Sequence, residues 1–235
     1  IGSESDILSE KLDILSYLSD NASIAIEKTL LFEKLTSNYY KTITSLANAV
    51  EEKLGIIKGH TLRVSKYSVL LARSLYLKES EIKDIEIAGL LHDIGKIGIK
   101  DSILRDAYSN ECDREEVLQR HTIIGKEILE PIGIGENILN GIYLHHKNYD
   151  LTGYPENIEI NEIPLIARII AIANSFDNLM NQLENGKKRT IISAFNVIKQ
   201  GSGKQYCPEL VAIFENLVDD LSDEILEISK SSYKI

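Results

Sequence analysis

The residues best suited to chemistry lie in Leu90-Leu91-His92-Asp93-Ile94-Gly95-Lys96. An imidazole and a carboxylate stand side by side where an apolar, helical-looking stretch from Ile82 to Leu91 ends. Buried at a helix mouth, such a pair is costly unless something neutralises it, and a metal cation is the usual solution. A plain His-Asp hydrogen bond at a helix terminus is the bland alternative, and the other histidines weigh against it. His60, His121, His145 and His146 complete the set of five, and each falls on or at the end of an expected helix. None lies in the first 59 residues or after position 146. His145 and His146 are neighbours, so on a helix they point about 100° apart. They serve one centre only near a helix end or at a centre large enough to span that angle. With Asp93 offering two oxygens as a bridge, the set suits two divalent ions. Nitrogen and oxygen donors without thiolate favour iron, manganese or zinc over calcium. Gly95 is expected to supply a left-handed cap after Leu91.

These side chains need a helical frame. Apolar positions recur at helical spacing over about 60–77, 80–92, 113–130, 135–147, 164–182, 190–200 and 208–229. Ser80 and Asp113 read as N-caps, and Pro164 and Pro208 as first-turn prolines. A polar loop over 148–163 holds Gly153-Tyr154-Pro155. Ahead of all this, Leu8, Leu15, Leu18, Ala22, Ala25, Thr29, Phe32, Thr36, Tyr39, Ile43, Leu46 and Val50 advance mostly by alternating threes and fours, with no Pro or Gly from Ser3 to Leu54. That is one long helix with a heptad seam. A parallel pair of such helices is favoured over packing on its own domain, which rarely needs so long a helix. The class is all-α: about seven helices preceded by a long N-terminal coiled-coil helix.

Composition narrows the function. The 235 residues are 43% hydrophobic and 26% charged, with a formal charge of −10. That excess of acid argues against nucleic acid and anionic membrane as general partners, though not against a small anion at a local cationic centre. Cys112 and Cys207 form neither a disulfide framework nor a thiolate site, and fit the cytoplasm. No apolar run approaches a membrane span, and the N-terminus does not read as a signal peptide. Ile1 is not an initiator Met, so the chain reads as part of something longer.

The combined motifs resemble the HD-GYP branch of the HD hydrolases. His92-Asp93-Ile94-Gly95-Lys96, then Ile97-Gly98-Ile99 and Asp101-Ser102-Ile103-Leu104, resemble its core. Glu51, Gly59-His60 and Arg63-Val64 match the first motif, and Arg120-His121 with Gly125 the next. His145-His146, Asp150 and Gly153-Tyr154-Pro155 match the signature that names the family. Ile163-Pro164-Leu165, Ala167-Arg168-Ile169, Gln205-Tyr206 and Pro208-Glu209-Leu210-Val211 follow its later motifs. The likeness spans about 47–215. Residues 1–46 are then a linker, and Lys11 to Phe32 resembles the last helix of a GAF sensor domain.

The resemblance implies a metal-dependent phosphodiesterase that opens cyclic di-GMP to pGpG or GMP. Two metals generate a hydroxide nucleophile near neutral pH and stabilise the charge that develops on the phosphate and leaving group. His60 and His92 would serve one ion, His121, His145 and His146 the other, with Asp93 bridging. Lys96 either reaches a phosphate or leaving-group oxygen or caps helix carbonyls. Asp150 either orients an imidazole or makes an Asx turn, and Tyr154 lies at the pocket mouth. A cyclic dinucleotide, a second copy of the chain and a GGDEF-type signalling domain are the implied partners.

The departures cut the other way. The family's last ligand is Asp; Asn174 stands in its place, with Asp177 one turn on either as a substitute or as a structural carboxylate. Ile56 replaces the Glu of three-metal members. Leu183-Glu184-Asn185-Gly186 replaces a phosphate-contacting Arg-Pro-Tyr-Arg, leaving Lys187-Lys188-Arg189 to supply charge or merely to be solvated. Lys147, Leu151 and Cys207 replace Glu, Gly and Asp. Three readings remain: a cyclic-dinucleotide phosphodiesterase, a catalytically weak metal-binding receptor, and an HD hydrolase of another phosphoester.

Overall fold

A computed structural model describes residues 4–54, 58–99, 111–156, 158, 161–181, 183–184 and 187–232. The chain divides into two compact units between Thr42 and Ile43. Helix α1, Glu4–Leu54, crosses that division. In the first unit its Leu15, Leu18 and Phe32 are exposed, as are Tyr17, Ile24 and Leu31 off the seam. Thr29 and Thr36 turn their hydroxyls back to the carbonyls of Ala25 and Phe32. In the second unit, Ile43, Ala47 and Val50 of α1 are buried.

The second unit continues with α2 (His60–Ser74), α3 (Glu79–Leu91), a 3-10 turn (Ile94–Gly98), α4 (Glu111–Leu129) and α5 (Glu136–Leu144). After the loop come α6 (Leu165–Asn181), α7 (Ile191–Gln200), α8 (Pro208–Asp220) and α9 (Ser222–Ser229). The described residues thus form nine α-helices. The only strands among them, β1 (Leu183–Glu184) and β2 (Lys187–Lys188), make a two-residue antiparallel pair. α2 lies between α3 and α6, and α5 packs on α3, α4 and α6. Tyr67, Phe176 and Phe214 meet edge to face, with centroids 5.2 and 4.9 Å apart, and tie α2, α6 and α8 together.

Several sequence expectations are corrected here. The helix expected over 208–229 is two, because Leu221 leaves helical geometry at φ −123° and ψ 31°. Two aspartates at a helix C-terminus oppose its dipole, whereas Asp223 and Glu224 suit a new first turn. The break leaves Ile225 and Ile228 buried. Ser80 is not a cap: α3 begins one residue earlier, with the Glu81 carboxylate accepting the Lys78 N–H at 3.1 Å. α4 begins before Asp113, and Pro164 precedes α6, its carbonyl accepting from Ala167 and Arg168. Pro208 does open α8. Gly95 is not left-handed; it lies within the 3-10 turn. A Cβ there would stand 1.9 Å from the His121 carbonyl oxygen and 2.5 Å from the Gly125 nitrogen. Gly95 is therefore needed for close approach, since it lets the turn after His92-Asp93 touch the helix that carries His121.

Candidate metal centre

His60 opens α2, His92 and Asp93 follow α3, His121 rides α4, and His145 and His146 follow α5. α5 ends at Leu144, three residues short of the expected 147, which puts the adjacent pair at a helix end. A Cβ on Gly89 would lie 2.7 Å from the Ser65 Cα, so this glycine allows α3 to press against α2. The His60 and His92 rings come to 5.3 Å, His92 and His145 to 5.1 Å, and His121 and His146 to 5.2 Å. All five rings and Asp93 are almost wholly buried, His146 alone keeping partial exposure.

The donors fall into two groups, His60-His92-Asp93 and His121-His145-His146. Asp93 faces both. Its Oδ2 lies 3.3 Å from His92 Nε2 and 3.8 Å from His60 Nε2, while Oδ1 lies 3.4 Å from His121 Nε2. The far nitrogens are held. His92 Nδ1–H donates to the Gly89 carbonyl and His145 Nδ1–H to that of Ile142, each at 2.8 Å. His60 Nδ1–H donates to Asp177 Oδ2 at 2.7 Å. This leaves Nε2 of each ring turned inward as a lone-pair donor, the arrangement that orients metal-bound imidazoles. His92 Nε2 and Asp93 Oδ1 are buried with no hydrogen-bond partner. Orphaned buried atoms of this kind are expensive, and a shared cation satisfies both. The donor set therefore fits two divalent ions.

Electrostatics points the same way. Burial alone would raise the Asp93 pKa, but Lys96 and the neighbouring imidazoles hold it well below 3.8, so Asp93 is ionised. Lys96 Nζ donates to Asp93 Oδ2 at 2.6 Å rather than to helix carbonyls. Burial and then the surrounding imidazoles push His145 and His146 well below 6.5, so both are neutral and able to ligate.

Other expected site residues land elsewhere. Asp177 has its carboxylate engaged by other side chains. Arg63 grips it in a fork, Nε on Oδ1 at 2.6 Å and Nη2 on Oδ2 at 3.0 Å, and His60 takes what remains. Burial favours its neutral form, yet those hydrogen bonds from His60 and Arg63 bring its pKa below 3.8. Asn174 is buried one turn earlier, its Oδ1 accepting from Asn178 at 3.0 Å. Asp177 is the carboxylate that meets an imidazole N–H, that of His60, and of the two roles open to Asp150 the structure shows the turn. Asp150 is exposed and accepts the Thr152 N–H and hydroxyl, an Asx turn. Tyr154 stacks on His146 with centroids 4.6 Å apart. Lys147 is buried, and its ammonium donates to the carbonyls of Gly153 and Pro155, pinning the loop that presents Tyr154. Lys187 lies in β2; its side chain, the 101–104 motif, Ile56 and Asn185-Gly186 lie outside the described residues. Lys188 donates to Asn181 at 3.4 Å, as a solvated surface lysine does.

The sequence assigns no task to Lys53 or Lys147, and makes Glu51 and Arg63 no more than motif matches. No local pattern marks them, since Glu51 and Lys53 sit in the charged run Glu51-Glu52-Lys53 and Lys147 follows two histidines.

Comparison with known proteins places this geometry. The HD domain family model matches residues 44–210. A cyclic di-GMP phosphodiesterase of Thermotoga maritima is 32% identical over 210 residues, covering 84% of this chain and 56% of that protein. A 3'3'-cGAMP-specific phosphodiesterase of Vibrio cholerae is 29% identical, covering 82% of this chain and 42% of its own. The chain spans about half the length of the curated relatives it matches. Among solved structures, a cyclic GMP-AMP-specific phosphodiesterase of V. cholerae superposes with a TM-score of 0.64 at 23% identity, covering 81% of this chain and 50% of that one. The Listeria monocytogenes PgpH HD domain superposes with a TM-score of 0.53 at 18% identity, covering 81% of this chain and all of that one. With a helical frame that brings His92-Asp93 and four further histidines into one buried cluster, the chain belongs to the HD domain family.

Proposed function

We propose that the chain is the HD-GYP portion of a signalling phosphodiesterase that hydrolyses a cyclic dinucleotide, cyclic di-GMP first among them, with two divalent ions. One observation carries the reading: the two oxygens of Asp93 face separate histidine groups, one of them beside an orphaned His92 Nε2. His60 and His92 hold one ion, His121, His145 and His146 the other, and Asp93 serves both. When bound, the ions, iron or manganese as the family resemblance implies, would supply a hydroxide nucleophile and offset phosphate charge. The protein's own part is to exclude water, fix the imidazole tautomers and keep Asp93 ionised. Lys96 lies within reach of Asp93 and offers its ammonium to phosphate or leaving group; Tyr154, stacked on His146, borders the entrance. Relatives named for cyclic di-GMP and for 3'3'-cGAMP support the substrate class.

Residues 1–46 act as the linker from a GAF-like sensor, and the exposed heptad leucines pair two copies. A GGDEF-type domain is the signalling partner, in the cytoplasm. Among the described residues no helix is long and apolar enough to cross a membrane.

A second reading, a metal-binding receptor with weak turnover, is favoured by Asn174. Without a second carboxylate, only Asp93 offsets the charge of the ion pair. Anaerobic purification, metal analysis and turnover of cyclic di-GMP and 3'3'-cGAMP on one sample decide between them. We expect two metal equivalents, one labile, and hydrolysis that rises with added Mn(II) or Fe(II). Asn174→Asp should raise both occupancy and turnover. Two ions without turnover in either protein would leave the receptor; no bound metal would overturn both readings.

A further inference from the structure

The last turn of α1 touches both sides of the cluster. Glu51 is buried, and its carboxylate spans the start of α2. Its Oε2 accepts the Gly59 N–H at 2.6 Å; its Oε1 accepts the Thr61 N–H at 2.7 Å and the Thr61 hydroxyl at 2.8 Å. The two amides flank His60. α2 has no side-chain cap of its own and no acid in its first turn, so a carboxylate from another helix does that work. Two residues on, Lys53 Nζ donates to the carbonyls of Ile97 at 2.7 Å and Ile99 at 3.2 Å. Those carbonyls end the 3-10 turn that follows Asp93 and carries Lys96. The same helical turn thus holds the residues on either side of His60 and the far end of the turn that follows Asp93, the two ligands lying 3.8 Å apart between Nε2 and Oδ2.

We propose that Glu51 and Lys53 form a clamp that sets the spacing between His60 and the His92-Asp93 segment. They are positioning residues and touch no substrate. The clamp rests on the metal-pair reading. Metal affinity is steep in ligand distance, so a hydrogen-bonded support one step behind a ligand changes it by about 10–100-fold. Glu51→Gln places an NH2 against at least one N–H donor, which pushes His60 away but leaves the other group of histidines alone. Lys53→Met releases the turn that carries Asp93, which faces both groups.

The test is titration of the metal-free full chain with Co(II), followed by visible absorption and by competition with a chelator. Wild type should take up two equivalents. Glu51→Gln should weaken one of them about ten-fold or more and leave the other unchanged. Lys53→Met should weaken both, and Lys53→Arg, which keeps the donors, should restore them. Lys53 is exposed, so its variants keep the test decisive should Glu51→Gln fail to fold. Two-equivalent uptake with Lys53→Met indistinguishable from wild type overturns the clamp alone, as does equal weakening of both equivalents by Glu51→Gln. Fewer than two equivalents in wild type overturns the metal-pair reading beneath it.

Discussion

Asp177 separates a ligand from the support of a ligand, and Asp177→Asn reads the difference. The carboxylate takes three charge-assisted hydrogen bonds, two from Arg63 and one from His60, at 2.6 to 3.0 Å. Both side chains of the ion pair are buried, Arg63 at 3% and Asp177 at 1% exposure. Asparagine keeps one acceptor oxygen for the fork but turns an NH2 toward another donor. Arg63 then remains charged and buried with its partner neutralised. Breaking a buried pair from one side costs about 3–5 kcal/mol. In a domain of this size each kcal/mol is about 2–4 °C in Tm, so the expected fall is about 6–20 °C.

Thermal and urea unfolding of the metal-free protein measure that loss. The second readout is metal. As the hydrogen-bond partner that orients His60, Asp177 contributes about 10–100-fold in affinity, and excess metal should restore both equivalents to Asp177→Asn. As a ligand it would take an equivalent with it, and excess metal would not bring it back. Combining Asp177→Asn with Arg63→Met should cost less than the sum of the single changes, because the second removes the stranded charge. A fall in stability under about 1 kcal/mol for Asp177→Asn, or an equivalent lost at saturating metal, refutes the reasoning.

Two further predictions follow from burial and exposure. His145 and His146 have folded pKa values well below the ordinary 6.5, so below that pH the unfolded chain binds protons that the folded one refuses. Metal-free stability should be complete above pH 6.5 and fall by about 1 kcal/mol per histidine by pH 5.5, in urea unfolding with chelator present. Asp93 and Asp177, held below 3.8, stay ionised throughout that window, and a flat profile would contradict the burial argument. The exposed seam predicts a dimer: light scattering should give twice the chain mass for the wild type and a monomer for the double change Leu15→Asp, Leu18→Asp, whereas a monomeric wild type removes the coiled-coil reading.

The sequence carried the histidines, the helical class and the long first helix, because period and residue type are local properties. It misassigned what depends on distance between helices. Gly95 reads as a helix stop because glycine so often is one; its actual constraint is a backbone 121 residues into the chain, which no local pattern reports. For Asp177 and Asp150 the sequence leaves two roles open each, and the packing selects the structural carboxylate for one and the Asx turn for the other. Asp150 lies one turn's length after His146, whereas Asp177 lies far in sequence from every histidine, and only the packing of α6 against α2 brings it to His60. The break at Leu221 was legible in Asp219-Asp220 and Ser222-Asp223-Glu224, had charge been weighed above apolar spacing.

The construction of the cluster explains why so many of its supports are charged. Turning imidazoles into one buried site with Nε2 inward requires acceptors for the far nitrogens, and three of the five rings show theirs. Carbonyls serve where a helix end lies nearby, as Gly89 does for His92 and Ile142 for His145. His60 sits at a helix start, where carbonyls point away and amides face outward, so no backbone acceptor is at hand. Its partner has to be a side chain, and its flanking amides have to find an acceptor elsewhere. Asp177 meets the first need and Glu51 the second, and each buried carboxylate then requires donors of its own. Arg63 satisfies Asp177, and the amides and hydroxyl of α2 satisfy Glu51. The acids and bases around His60 are thus consequences of placing an imidazole at the first residue of a helix.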